Sequence, residues 1–189
     1  MKVAVRLEPT EDRSRKCVAS RSDARYIRSA NQNRNPAESM ANTFTCLQYH
    51  LVFSTKHREP WLRPEDQDRV WAYLGGIARD NRLTAVLVGG MADHVRILLG
   101  VPATIAVSEA VKRIKGGSSG WIMQNIFGCR GFAWQDGYGA FSVSKSAEER
   151  VKQYIRDQHE HHRVKTFQEE YRELLHRHGI QFDERYLWG

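Results

Sequence analysis

The sequence predicts an α+β fold of the ferredoxin-like (RRM-like) type: an antiparallel sheet with helices on one face, followed by C-terminal helices. Two segments with a two-residue apolar period carry that expectation, Leu47 to Phe53 and His94 to Leu99. The third observation is their interleaving with amphipathic stretches in the order β-α-β-β-α-β.

In the first segment Leu47, Tyr49, Leu51 and Phe53 alternate with Gln48, His50 and Ser54, as a strand buried on one face requires. Pro64, whose fixed φ suits a first helical turn, opens a helix to about Asn81, with Val70, Trp71, Leu74, Ile77 and Ala78 on one stripe. Leu83 to Val88 is expected as a second strand ended by a Gly89-Gly90 turn. His94 to Leu99 completes the hairpin, with Val95, Ile97 and Leu99 on one face and His94, Arg96 and Leu98 on the other.

Ile105 to about Asn125 reads as a helix with Val107, Val111 and Ile114 inward, and the run Gly116 to Gly120 is expected to bend or break it. Phe132 to Trp134 and Ala140 to Val143 read as short strands around a Gly137-Tyr138-Gly139 turn. A helix follows from about Ser146 to His162. The last helix runs from Thr166 to about His178, with Thr166 as cap, Glu169 at the capping-box position and Gly179 as terminator. This arrangement leaves the sheet face opposite the first two helices open for a site.

The chain has 189 residues, 41% hydrophobic and 27% charged, the composition of one globular domain with an appendage rather than of a disordered or fibrous chain. Its longest uncharged apolar stretch, Ala85 to Ala92, is far below the roughly 20 residues that span a bilayer. Cys17, Cys46 and Cys129 are widely spaced with no CxxC, which argues against a disulfide framework or a thiolate zinc site. With no apolar signal segment at the start, the cytoplasm is the expected compartment.

The net charge of +7 points to an acidic partner such as nucleic acid. Residues 1–44 carry 9 basic and 5 acidic side chains, or +4 of that charge, and have no sustained apolar period. They are expected to be a disordered basic extension, either a functional arm or a stretch upstream of a start at Met40, with the folded domain in residues 45–189.

Two constellations could carry chemistry. His94 and Arg96 stand two apart on a strand and therefore on one face; two imidazoles there would ligate a divalent metal, but a guanidinium has no lone pair to offer. Tyr154 and Gln158 stand four apart on a helix, a phenol able to attack phosphorus beside an amide oxygen able to ligate a metal. Either pair taken alone more often marks surface or packing residues. Lys112, Arg113 and Lys115 form a basic cluster beside a glycine-rich run and are candidate DNA contacts, as is Arg96. Trp134 and Tyr138 could stack on bases or fill the core. His159, His161 and His162 suit a helix C-terminus more than a metal site.

Read in order, the segment Tyr49 to Arg58, Asp93-His94-Val95-Arg96, Lys115 to Ser119, Trp134 to Gly139 and Tyr154-x-x-x-Gln158 resemble the single-tyrosine HUH transposases of hairpin-ended insertion sequences and their relatives associated with repetitive extragenic palindromes. The resemblance covers roughly residues 45–189. It implies a homodimeric enzyme that binds single-stranded DNA with a hairpin and cleaves beside it, using Mg2+ or Mn2+. It further implies Tyr154 as the nucleophile that forms a 5′-phosphotyrosine, and His94 and Gln158 as metal ligands. The third ligand position falls on Arg96, so a catalytically impaired or domesticated hairpin-binding protein stands as the alternative. His50, on the neighbouring strand, is a candidate substitute ligand.

Overall fold

The computed structural model describes residues 44–161 and 163–188. The expectation of a disordered arm over residues 1–44 lies, Phe44 apart, outside the described residues, as do the side chains of His159, His161 and His162.

Four antiparallel strands form one sheet: β1 (Gln48–Ser54), β2 (Thr84–Met91), β3 (His94–Gly100) and β4 (Gly139–Val143), in the order β2-β3-β1-β4. Alternation sends Leu51, Phe53, Val95, Ile97 and Leu99 to one face, where they meet helices α1 (Pro64–Asp80) and α2 (Val107–Asn125) in the main core. On α1 the buried residues Val70, Leu74 and Ala78 recur every fourth position, and Glu65 and Asp66 lie in the first turn, where the helix dipole favours acids. On α2, Ala110, Val111, Ile114, Ser118 and Ile122 make the matching stripe. Each large aliphatic side chain so buried contributes about 1.5–3 kcal/mol.

The helix α2 does not break at its glycines. A Cβ on Gly117 would lie 3.3 Å from Ile77, so the absent side chain lets α1 and α2 approach, and Ser118 returns its hydroxyl to the Ile114 carbonyl at 2.7 Å. Packing thereby outweighs the poor helix propensity of the run. The Gly89-Gly90 pair likewise lies inside β2 rather than in the turn, which is made by Ala92 and Asp93. Phe132 to Trp134 forms no strand against Ala140 to Val143: Trp134 bridges to Thr55, while β4 pairs with β1.

The other sheet face is covered rather than open. The predicted helix over Ser146 to His162 begins as a short 3-10 turn, Lys145–Ala147, continues as α3 (Glu148–Arg156) and is interrupted at Asp157 before the short α4 (Gln158–His161). Ile155 of α3 packs with Leu98 and Val143. The last predicted helix forms as α5 (Phe167–Arg177), with the full Thr166/Glu169 capping box and Gly179 at φ 65°, a left-handed terminator. Its Phe167 and Leu175 pack on Val52 and Phe141, and a final turn, α6 (Glu184–Leu187), follows.

One row across this face explains how both helices come so near. Cross-strand registry aligns Gly89, Arg96, Val52 and Gly139. A Cβ on Gly89 would lie 2.8 Å from Ile155 of α3, and one on Gly139 would lie 2.8 Å from the Tyr171 hydroxyl of α5. Arg96 is the large side chain between two glycines, under the helices that those glycines admit.

Candidate active site

Strand alternation brings His94 and Arg96 to this covered face, and both are fully buried at 0% exposure. Asp93, in the β2–β3 turn, binds His94 Nδ1 at 2.8 Å and also receives the Arg58 guanidinium at 2.7 Å. Burial raises the Asp93 carboxyl, but the bonds from His94 and Arg58 more than offset it and hold the pKa at about 2. Burial, helped by the nearby Arg96 charge, lowers the His94 pKa, against the contacts with Asp93 and Gln158, which raise it. The other ring nitrogen, Nε2, lies 3.2 Å from Gln158 Oε1, an amide oxygen that can only accept.

Tyr154 and Gln158 meet this platform from above despite the interruption of the helix between them. Gln158 is buried; its Nε2 donates to the Tyr154 carbonyl at 3.1 Å, which turns Oε1 down to accept from Arg96 Nε at 2.7 Å. The Tyr154 ring lies on the Arg96 guanidinium, 4.9 Å from Cζ, a cation–π contact away from water.

A residue that the sequence reading did not single out completes the group. Glu170 of α5 accepts from Arg96 Nη2 at 2.8 Å and from the Tyr154 hydroxyl at 2.9 Å, both on Oε2. Its signal was present: within α5 it shares a stripe with Phe167, Tyr171 and Leu174, an acid on an apolar face. Phe167, one turn earlier, stacks on the His94 ring at 4.2 Å. Burial raises the Tyr154 pKa to about 12, against the lowering pull of Arg96 and with a further rise from Glu170. A cleft of about 850 Å3, lined by His50, Tyr154, Asp157, Glu170, Glu173 and Arg177, opens beside the phenol.

The sequence resemblance implies Mg2+ or Mn2+ at this donor set. His94 Nε2 and Gln158 Oε1 lie at about the 3 Å separation of neighbouring ligands on a cation roughly 2.1 Å from each. The third position, however, holds the guanidinium, a permanent cation already bonded to Gln158 Oε1. No group of three His, Cys, Asp or Glu able to hold a metal occurs among the described residues. A divalent ion does not fit beside Arg96. His50 offers no replacement beside His94: it pairs across the sheet with Leu98, four residues along β3 from His94, and lies against Tyr154 and Phe141.

The other candidates lie elsewhere. Lys112, Arg113 and Lys115 are on α2, across the sheet from Tyr154. Lys115 donates to the carbonyls of Gln135 at 2.6 Å and Gly137 at 2.8 Å, fixing the loop before β4, and Arg113 pairs with Glu109 at 2.8 Å. Trp134 is a core residue, edge-on to Phe53 and Phe132, with its indole N–H on Ser118, whereas Tyr138 is exposed. No helix among the described residues is long and apolar enough to cross a membrane.

Comparison with known proteins bears on this group of residues. Residues 43–158 match the family described as Transposase IS200 like, so the match ends on Gln158 and leaves α5 with Glu170 beyond it. The ISDra2 transposase TnpA of Deinococcus radiodurans is 30% identical over 121 residues, 60% of this chain and 85% of that protein. The transposase for insertion sequence element IS200 of Salmonella typhimurium is 28% identical over 127 residues, covering 64% of this chain and 82% of the relative. A crystal structure from Deinococcus radiodurans R1, described as a transposase, aligns with TM-score 0.51 at 29% identity, over 62% of this chain and 95% of that one. The family match spans more than half of the chain, and the chain belongs to the IS200-like transposase family.

Proposed function

We propose that this protein is a single-stranded DNA endonuclease and strand transferase acting next to DNA hairpins, with Tyr154 as its nucleophile. The observation that carries the reading is the meeting of the Tyr154 hydroxyl and the Arg96 guanidinium at one carboxylate oxygen, beside an open cleft. Membership of a transposase family and the ordered motifs, Tyr154-x-x-x-Gln158 above all, support the same reading.

In the proposed step Tyr154 Oη bonds to phosphorus while the bond from phosphorus to O3′ breaks. The phenolic proton passes to Glu170, which is already in contact, and the departing O3′ takes a proton from water. The products are a 5′-phosphotyrosine and a 3′-hydroxyl. A second 3′-hydroxyl then attacks the same phosphorus and expels the phenol, so one ester replaces another with no external energy. The phosphate charge is met by Arg96. Lys112 and Arg113 on the far face are the proposed contacts for flanking DNA, and a homodimer is the proposed assembly.

A second reading, hairpin binding without cleavage, is favoured by one observation: burial holds the Tyr154 phenol at a pKa of about 12, the opposite of an activated nucleophile. A labelled single-stranded hairpin library separates the two. Cleavage gives a covalent adduct on a denaturing gel that is absent from Tyr154→Phe; binding alone gives retarded DNA without an adduct.

A further inference from the structure

We infer that the Arg96 guanidinium takes the place of a divalent cation in this site and binds one phosphodiester group of a DNA strand, with the Glu170 carboxylate occupying the phosphate position until DNA arrives. The inference rests on the DNA reading above and goes beyond it in setting Arg96 in place of a divalent ion and naming the residue that must give way.

Three observations carry it. The cation sits on a buried neutral acceptor: Gln158 Oε1 takes a bond from Arg96 Nε at 2.7 Å and lies 3.2 Å from His94 Nε2. Such a pocket would otherwise stabilise an ion, and the guanidinium supplies the positive charge from within the chain. Next, the guanidinium is not saturated. Arg96 is fully buried, yet its Nη1 has no hydrogen-bond partner among the described residues, a donor left over after Gln158 and Glu170 are served. A phosphate presents two oxygens at the spacing of a guanidinium fork and can use Nη1 and Nη2 together.

The third observation is where Glu170 Oε2 stands. It is 2.8 Å from Arg96 Nη2 and 2.9 Å from the Tyr154 hydroxyl, so it marks the place of an anionic oxygen between cation and nucleophile. A phosphate oxygen at that point would be held by Arg96 with its phosphorus beside Tyr154. Glu170 would then keep the phenol and yield the guanidinium. α5 joins the tyrosine segment through an exposed stretch that includes Arg163, Val164 and Lys165. The family match also ends before α5, so the carboxylate that completes this site lies outside the matched segment.

The test uses full-length protein freed of metal with EDTA, in two arms. In the first, Mn2+ binding is followed by electron paramagnetic resonance for the unmodified protein and for Arg96→His, which offers a third neutral donor. No saturable uptake by the unmodified protein and about one ion per chain in Arg96→His supports the inference; saturable uptake by the unmodified protein overturns it. In the second, a fluorescein-labelled oligonucleotide with one hairpin and a randomised single-stranded flank is titrated by anisotropy. Affinity is expected to be the same in EDTA and in Mn2+, and about three- to tenfold tighter for Glu170→Gln, where a competing carboxylate is gone. Adduct formation by that variant should nevertheless be slower, since the proton acceptor is lost, a split that a merely structural role would not produce.

Glu170→Asp, which keeps the charge but shortens its reach, should also tighten binding and guards against misfolding of Glu170→Gln. Unchanged or weaker binding by both overturns the inference. If no variant binds the oligonucleotide, the DNA reading falls and the phosphate assignment with it. Binding that requires Mn2+ overturns the phosphate assignment alone.

Discussion

Arg96 and Glu170 form a buried ion pair, 2.8 Å between Nη2 and Oε2, that ties the central strand β3 to the helix α5. A buried pair gains little over an apolar pair of the same shape, but breaking one side strands a charge away from water. Glu170→Ala is therefore expected to lower stability by about 3–5 kcal/mol. The double change Arg96→Met with Glu170→Leu should cost far less. Urea denaturation of the three proteins checks both statements.

On the proposed reading, Tyr154 contributes to chemistry much more than to folding. Its hydroxyl donates to Glu170, a bond worth about 1 kcal/mol net. Tyr154→Phe should shift the denaturation midpoint only slightly while removing every trace of covalent adduct. An equal loss of adduct and of folded protein would contradict the assignment.

Acid sensitivity should begin at a histidine. Burial, with added repulsion from Arg96 and His178, lowers the His50 pKa from 6.5 to about 3. The unfolded chain thus takes up this proton earlier than the native one, so the stability that neutral His50 confers is full above about pH 6.5 and is lost as the pH falls toward about 3. Glu148, held at about 2 by bonds from Lys145, Lys152 and Gln48, adds a loss only in the lower window, from about 4.5 to 2. His50→Phe should reduce the slope of the stability profile between pH 6.5 and the carboxylate range, leaving the share due to His94; an unchanged slope there would rule out the assignment.

The glycines of the Arg96 row are positions of close approach. Gly89→Val suits a strand by propensity, yet its side chain would collide with Ile155 of α3. A loss of about 1–3 kcal/mol is expected from such overpacking, together with displacement of Tyr154 and a weaker adduct. Retained stability and adduct yield would show that α3 can move away from β2.

Much of this arrangement was legible in the residues. The two-residue period of Leu47 to Phe53 and of His94 to Leu99 set β1 and β3 and put His94 and Arg96 on one face; the Thr166/Glu169 box and Gly179 bounded α5. What failed were inferences from local glycine propensity. Gly116 to Gly120 stays helical because Gly117 lets α1 close on α2, and Gly89-Gly90 stays in a strand because α3 needs the space. The covering of the second face could not be read either, since a terminal amphipathic helix does not name the surface that it covers. Glu170 was missed for the same reason: its partners, Arg96 and Tyr154, are 74 and 16 residues away.

The central claim is that a tyrosine and an internal guanidinium handle the phosphate here. Its most direct test is the yield of covalent adduct on a labelled single-stranded hairpin in excess EDTA, set beside the yield in Mn2+. Equal yields, both abolished in Tyr154→Phe, are the expected result. An adduct that forms only when Mn2+ is added would contradict the account.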